Sequence, residues 1–342
     1  MKKLYYRKMC QIAIGCLALC GCSNGYQRGE KAALESEMEK APTMERNVAE
    51  SDAADAARAG NTVVEWSSED GDITEGMRET FPADSVPEPE VIEAEWSDYF
   101  DGCNGCAVLY DTSNRTYTIF NPDLALTRRS PCSTFKIISS LVALEQGIIG
   151  QENSLRRWSG ETYWNEQWNR DIEFEQAFSA SCVWYFREVI DEIGPETMGE
   201  ELNKLSYGNC DISDWEGRLN TNNTNRALTG FWLESSLLIS PKEQTEVMER
   251  IFGADSLYSE ETRERLKQVM LVAGPGEEEI RIYGKTGMGK DKGVTVDAWF
   301  TGFAEIGENP LYFCVYLGRT DGKDVSSSVA RDIAVHLISE GR

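Results

Sequence analysis

A serine and a lysine three residues apart, Ser133 and Lys136, form the pattern in this sequence that points most directly to covalent chemistry. On a helix, this spacing places the hydroxyl and the amine on one face. A serine hydroxyl is a weak nucleophile until a base removes its proton. The apolar run over residues 135–145 predicts a buried helix ending near Gly147, where desolvation and the helix dipole lower the pKa of the amine. Lys136 is therefore a candidate base.

The number of histidines limits which side chains could act as the catalytic base. The chain has a single histidine, His336, in a predicted C-terminal helix. A Ser-His-Asp triad and a metal site built from several histidines are therefore nearly excluded, and we expect no metal. A serine enzyme with this sequence must use another base, and Lys136 is the available one.

Two further short motifs follow Lys136 in the chain. Ser181-Cys-Val183 supplies a second hydroxyl, and Lys285-Thr286-Gly287 follows a short predicted strand. A strand with Lys-Thr-Gly can offer a cation and a hydroxyl to a substrate carboxylate. A backbone N–H beyond Gly287 can join that of Ser133 to form an oxyanion hole.

In this order the motifs resemble those of the class D (oxacillinase-like) serine β-lactamases, from about Trp96 to the C-terminus. Ser-x-x-Lys and Lys-Thr-Gly are shared by β-lactamases and penicillin-binding proteins. The Tyr-Gly-Asn and Trp-Leu elements separate class D from class A. The resemblance rests on Pro131-Cys-Ser-Thr-Phe-Lys-Ile137, Ser181-Cys-Val183, Tyr207-Gly-Asn209, Phe231-Trp-Leu-Glu234 and Lys285-Thr-Gly287.

The resemblance implies hydrolysis of β-lactam antibiotics through an acyl-enzyme on Ser133. It also implies that carbon dioxide converts Lys136 to a carbamate, the general base for acylation and deacylation, with no other cofactor. Only an unprotonated amine adds carbon dioxide, which agrees with an apolar setting. By the same resemblance, the Trp232 indole would hydrogen-bond the carbamate, and Val183 and Leu233 would shield it.

The resemblance also assigns the substrate contacts. Ser181 would relay a proton to the leaving nitrogen, and the backbone N–H of Met288 would complete the oxyanion hole. The family holds the substrate carboxylate with an arginine near the C-terminus, for which we choose Arg331, with Arg319 as the alternative. The predicted substrate-binding residues are Lys285, Thr286, Gly287, Met288, Tyr207, Asn209 and Arg331.

Three other functions share part of this pattern. A β-lactam sensor has a class D-like domain that is acylated but hydrolyses the adduct slowly; Trp232 and the Tyr207-Gly-Asn209 motif favour turnover instead. A D,D-peptidase uses the same Ser-x-x-Lys and Lys-Thr-Gly logic on cell-wall peptides. A structural protein with a dead enzyme fold ranks last, because the reactive positions are all present.

The surrounding pattern predicts an α+β fold: an antiparallel β-sheet flanked by helices, with a helical subdomain, as in the penicillin-binding transpeptidases. Residues 106–111 and 115–120 read as a hairpin, and a mostly helical middle runs to about Val272. Strands over 280–283, 297–304 and 311–316 precede a closing helix over 326–339. Residues 288–294 predict a long polar loop.

The N-terminus has the features of an export signal. Basic residues precede an apolar stretch over residues 12–19, and Leu19-Cys-Gly-Cys22 resembles a bacterial lipobox. We therefore expect a lipoprotein signal peptide over residues 1–22 and lipid attachment at Cys22, with a plain secretory signal as the alternative. The predicted location is the outer face of the cell membrane, or the exterior.

We expect residues 23–95 to form an acidic low-complexity tether ahead of a catalytic domain over residues 96–342. The tether holds 19 acidic and 6 basic residues, about half of the net charge of −24. Because nucleic acids are also negatively charged, we do not expect this chain to bind them.

Six cysteines follow the leader, including a Cys103-x-x-Cys106 pair that lacks the context of a redox or zinc site. Disulfide pairing and oligomeric state stay open.

Overall fold

A computed structural model describes residues 88–219, 224–273, 280–307, 309–323 and 325–340. Within them a seven-stranded sheet has the order β1-β3-β2-β7-β6-β5-β4. Every neighbouring pair is antiparallel except β1 and β3, which are parallel. The strands are β1 (Glu90–Glu93), β2 (Gly105–Asp111), β3 (Thr116–Phe120), β4 (Leu271–Ala273), β5 (Arg281–Asp291), β6 (Val294–Ile306) and β7 (Asn309–Gly318).

Most of the helices lie between β3 and β4 in the chain. Short 3₁₀ turns cover Cys132–Phe135, Glu166–Trp168 and Arg226–Leu228. The α-helices are α1 (Ser97–Phe100), α2 (Pro122–Ala125), α3 (Lys136–Glu145), α4 (Phe174–Ser179), α5 (Val183–Ile193), α6 (Pro195–Lys204), α7 (Pro241–Phe252), α8 (Glu260–Met270) and α9 (Ser327–Glu340).

The sheet separates two hydrophobic cores. Side chains alternate between the faces of a strand, and in β6 Trp299 lies in one core while Phe300 lies in the other. The first core also contains buried apolar residues of α3, α5 and α7. The second is covered by α9. The predicted α+β class is therefore confirmed, with one parallel strand pair added.

The β5–β6 hairpin differs from the long polar loop that we predicted over residues 288–294. β5 continues to Asp291, and β6 begins at Val294. Lys292 and Gly293 form the turn, with φ angles of 49° and 80°. Positive φ at both central residues is typical of a tight two-residue hairpin turn. The polar residues therefore continue the strands beyond the core.

The sheet also begins earlier than Trp96, where we expected the folded domain to start. β1 pairs with β3 through residues 90–93, and all four of its side chains are exposed. Without alternation of apolar and polar side chains, this short strand leaves no pattern that sequence analysis recognises. The leader, Cys22 and the rest of residues 1–87 lie outside the described residues.

Candidate active site

The Ser133 hydroxyl lies at the junction of a 3₁₀ turn and a buried helix. Cys132–Phe135 forms the turn, which we call the nucleophile turn, and α3 begins at Lys136. The Lys136 Nζ is 2.9 Å from the Ser133 Oγ. The amine and the hydroxyl are therefore within hydrogen-bonding distance, in the geometry required of a nucleophile and its base.

Lys136 is buried in apolar surroundings. It is 1% exposed, and its Nζ lies 5.4 Å from the centre of the Phe186 ring. Burial lowers the pKa of this amine from 10.5 to about 8. No carboxylate forms an ion pair with Lys136 among the described residues. A neutral amine is thus accessible near neutral pH.

Trp232 brings a buried donor without a protein acceptor. Its side chain is fully buried and stacks on Phe135, with ring centres 6.0 Å apart. The indole Nε1 has no hydrogen-bond partner among the described residues. Buried polar groups are normally hydrogen-bonded, and this indole N–H is available to bond an acceptor. Val183 and Leu233 are half-buried and pack against the same core.

Lys285 and Ser181 form a second lysine–serine pair. The Lys285 Nζ donates to the Ser181 Oγ at 3.1 Å and to the Thr286 carbonyl at 3.2 Å, with the Thr286 hydroxyl at 3.5 Å. Burial lowers the pKa of Lys285 to about 7, and the nearby positive charge of Lys136 acts in the same direction. The pair can therefore pass a proton through Ser181.

β5 lies directly against the nucleophile turn. A Cβ atom added to Gly287 would come within 2.9 Å of the Thr134 Cγ2 and 3.0 Å of the Pro131 carbonyl oxygen. On its other edge β5 meets β4 only at Tyr283 and Ile282. Among the described residues, no strand pairs with this edge of β5 from Gly284 to Met288, so the backbone groups there have no strand partner on that side.

Tyr207 and Asn209 pack against and hydrogen-bond the segments that surround the site. The Tyr207 ring is fully buried and packs edge-on against Phe135, with ring centres 5.6 Å apart. The Asn209 side chain donates to the Ser236 carbonyl at 2.8 Å and accepts from the Leu238 N–H at 2.9 Å. In this structure both side chains order the chain around the site.

The structure does not bring Arg331 to the nucleophile turn. Arg331 lies on α9, which covers the opposite face of the sheet, and it pairs with Asp332 at 3.1 Å. Arg319 follows the end of β7 and pairs with Asp321 at 3.4 Å. Lys136, which hydrogen-bonds Ser133, and Lys285, which hydrogen-bonds Ser181, are instead both buried.

Three strained backbone positions surround the site, and the motifs gave no sign of them. Cys132, Ser181 and Glu234 have φ angles of 50°, 54° and 52°, which residues with side chains rarely adopt. Such conformations cluster at functional sites, where the surrounding structure holds them in place. Each one lies within two residues of a predicted site residue.

The six cysteines at residues 103 and beyond are free thiols. Cys132 and Cys182 are buried beside the two reactive serines, and burial raises the pKa of Cys132 well above its usual value and that of Cys182 to about 12. Neither thiol is a nucleophile in this form.

In the described part of the chain, no cluster of three or more histidine, cysteine or acidic residues could hold a metal.

The sequence matches the penicillin binding protein transpeptidase domain over residues 105–338. It is 30% identical over 258 residues to the regulatory protein BlaR1 of Bacillus licheniformis, covering 75% of this chain and 40% of that protein. It is 31% identical over 247 residues to the β-lactamase OXA-1 of Escherichia coli, covering 71% of this chain and 87% of that protein. The chain thus spans about two fifths of BlaR1 and most of OXA-1.

Solved structures show the same two relationships. The C-terminal domain of the Bacillus licheniformis BlaR penicillin-receptor has a TM-score of 0.65 and 29% identity, covering 75% of this chain and 98% of that one. A class D β-lactamase from Bacillus subtilis has a TM-score of 0.61 and 29% identity, covering 72% and 96%. The chain therefore belongs to the penicillin-binding protein transpeptidase family, in the group that contains the class D β-lactamases and the BlaR receptor domain.

Proposed function

We propose that this protein hydrolyses β-lactam antibiotics through an acyl-enzyme on Ser133. The observation that carries the proposal is the pairing of Ser133 with a buried lysine whose pKa is lowered to about 8. The β-lactamase relatives, among them OXA-1, support turnover.

The positions of the side chains support a sequence of steps for acylation. The Ser133 Oγ attacks the β-lactam carbonyl carbon, and its proton moves toward Lys136, 2.9 Å away. The backbone N–H groups of Ser133 and Met288 would stabilise the oxyanion that forms. When the ring C–N bond breaks, Ser181 gives a proton to the leaving nitrogen, and Lys285 can replace that proton because its Nζ bonds the Ser181 hydroxyl.

The residues around Lys136 fit a carbamate. An accessible neutral amine, an apolar pocket and the unpaired Trp232 indole N–H are what a carbamate on this lysine requires. Trp232 would donate to it, while Val183 and Leu233 would limit access of water. The carbamate would supply an anionic base for Ser133 and for the hydrolytic water.

A second candidate function is that of a β-lactam receptor that is acylated but turns over slowly. The similarity to BlaR1 and to the BlaR penicillin-receptor domain favours it. Both functions begin with the same acylation of Ser133, and they differ in how fast the acyl-enzyme is hydrolysed.

We further propose that the protein is exported and anchored through a lipid on Cys22, with the acidic residues 23–95 as a tether. The lipobox-like Leu19-Cys-Gly-Cys22 and the short apolar stretch before it support this location. In the part of the chain that the structure describes, no helix has the length and apolar character needed to cross a membrane.

Acylation is tested with a fluorescent penicillin and mass spectrometry of the intact protein. We expect a covalent adduct of one penicillin on Ser133, formed also in Ser159→Ala, whose serine lies in a loop, but not in Ser133→Ala. An adduct that persists in Ser133→Ala would contradict the proposed nucleophile.

A further inference from the structure

Hydrogen bonds tie the nucleophile turn to the segment that contains Trp232. The Cys132 N–H and the Ser130 hydroxyl both donate to the Trp232 carbonyl, each at 3.0 Å. The Ser130 hydroxyl also accepts from the Glu234 N–H at 2.9 Å. Ser130 is buried, so these bonds lie in surroundings where their loss is costly.

The side chain of Glu234 extends this connection to the hairpin. Its Oε1 accepts from the Lys290 backbone N–H at 2.8 Å. Lys290 lies in β5, five residues beyond Lys285. Residues far apart in sequence are thus joined in one network: the nucleophile turn, the Trp232 segment and the strand with Lys-Thr-Gly.

We propose that Glu234 is a positioning residue that holds the β5–β6 hairpin and Trp232 in one arrangement relative to Ser133. The proposal rests on the proposed function, because it assigns Glu234 a role in β-lactam acylation and in carbamate retention. The Glu234 N–H bonds Ser130, and its carboxylate bonds the Lys290 N–H. It acts through Trp232 on one side and through β5 on the other.

The backbone of Glu234 supports a functional rather than a stabilising role. Its φ of 52° is unfavourable for any residue except glycine, asparagine or aspartate. Glycine would adopt this conformation without strain but would lose the carboxylate. A strained backbone held in place by the surrounding structure, as here, is typical of functional sites.

Three variants of the full-length protein test the role. Glu234→Gln keeps an oxygen that can accept from Lys290, Glu234→Ala removes it, and Glu234→Gly removes it while relieving the backbone. Glu192→Ala, which removes an ion pair with Arg156, is the control. For each variant we would measure the acylation rate with a fluorescent penicillin, KM and kcat separately, the half-saturating bicarbonate concentration and the melting temperature.

We expect Glu234→Ala and Glu234→Gly to slow acylation and to raise the half-saturating bicarbonate concentration, each by about ten-fold, the effect of losing one charge-assisted hydrogen bond. Glu234→Gln should stay within about three-fold of the wild type. The melting temperature of Glu234→Gly should be no lower than that of Glu234→Ala. Slow acylation in Glu234→Gly would then reflect lost positioning and not lost stability. Wild-type acylation and bicarbonate values in Glu234→Gly would overturn the proposal.

Failure of the carbamate proposal would be seen separately. If the wild-type protein shows no response to bicarbonate, the carbamate is refuted, and the acylation rates alone then decide the role of Glu234. Equal acylation rates in Glu234→Ala and the wild type would refute that role as well.

Discussion

Lys136 shows how one buried group links stability to activity. An isolated lysine keeps its proton until about pH 10.5, whereas burial lowers the pKa here to about 8. Below pH 8 the amine is protonated in both the folded and the unfolded protein. Folding then bears the full free-energy cost of burying the charge. Between pH 8 and 10.5 the unfolded state binds more protons, so this group makes stability rise with pH. The site is therefore less stable than an apolar one would be.

Lys136→Met should raise the free energy of unfolding at pH 7 by about 1–3 kcal/mol while abolishing turnover. The gain should fade as the pH rises from 8 to 10.5, since the wild-type penalty disappears over that range. Chemical denaturation at several pH values in buffer free of carbon dioxide would measure it. A variant less stable than the wild type at pH 7 would contradict a buried amine without an acidic partner.

Trp232→Phe removes the unpaired indole N–H and keeps an aromatic ring in the core. Because a hydrogen bond to an anion contributes about 1.5–3 kcal/mol, the half-saturating bicarbonate concentration should rise about ten- to hundred-fold. Trp215→Phe is the control, since the Trp215 ring stacks on Phe231 and its indole already bonds Asp191. Titration of activity with bicarbonate measures the half-saturating concentration of both variants. An unchanged requirement in Trp232→Phe would argue against Trp232 as the carbamate donor.

At the scale of the elements, the site depends on β5 lying against the nucleophile turn. Gly287 makes the contact possible, because any side chain there meets Thr134 and Pro131. The contact places Lys285, on the strand, beside Ser181, which lies between α4 and α5.

Gly287→Ala should therefore push β5 away from the turn. Overpacking of this kind costs about 1–3 kcal/mol, and we expect acylation to slow by about ten-fold or more. Gly199→Ala, in α6, is the matched control: its added methyl group meets only Ile212 at 3.5 Å and should stabilise the helix by up to about 1 kcal/mol. Acylation kinetics and thermal melts of both variants give the comparison. Unimpaired acylation in Gly287→Ala would show that the strand is free to move.

The sequence predicted the elements whose pattern is local. The spacing of Ser133 and Lys136 and the apolar run after them describe α3. Two runs of strand-forming residues around a short polar turn describe β2 and β3, and a similar apolar run describes β7. β1 is missed because its four side chains are exposed. The network through Ser130 and Glu234 is missed because it joins residues about 100 positions apart, and no short pattern records such contacts.

The position of Arg331 could not be predicted from the sequence for a different reason. Family resemblance indicated an arginine near the C-terminus, and the sequence offers several. Only the packing of α9 on the far face of the sheet distinguishes their positions. Tyr207 and Asn209 likewise match the family motif, while their burial and hydrogen bonds emerge only in the folded chain.

At the scale of the whole molecule, a catalytic domain would be held at a membrane by its N-terminus. Cys22→Ser should shift the protein from the membrane fraction to the soluble fraction without changing kcat, because Cys22 lies far in sequence from every predicted site residue. Cys20→Ser is the control and should stay with the membrane. Fractionation of cells with immunoblotting measures both. Membrane retention of Cys22→Ser would refute the lipid anchor.

Enzyme and receptor differ in the fate of the acylated molecule, and one measurement separates them. The full-length protein is mixed with a chromogenic cephalosporin with and without bicarbonate, and its mass is followed over the same period. We predict many turnovers per molecule, stimulated by bicarbonate and absent in Lys136→Ala. A stoichiometric adduct that persists without turnover, in the presence of bicarbonate, would contradict the proposed hydrolysis and identify a receptor or penicillin-binding protein.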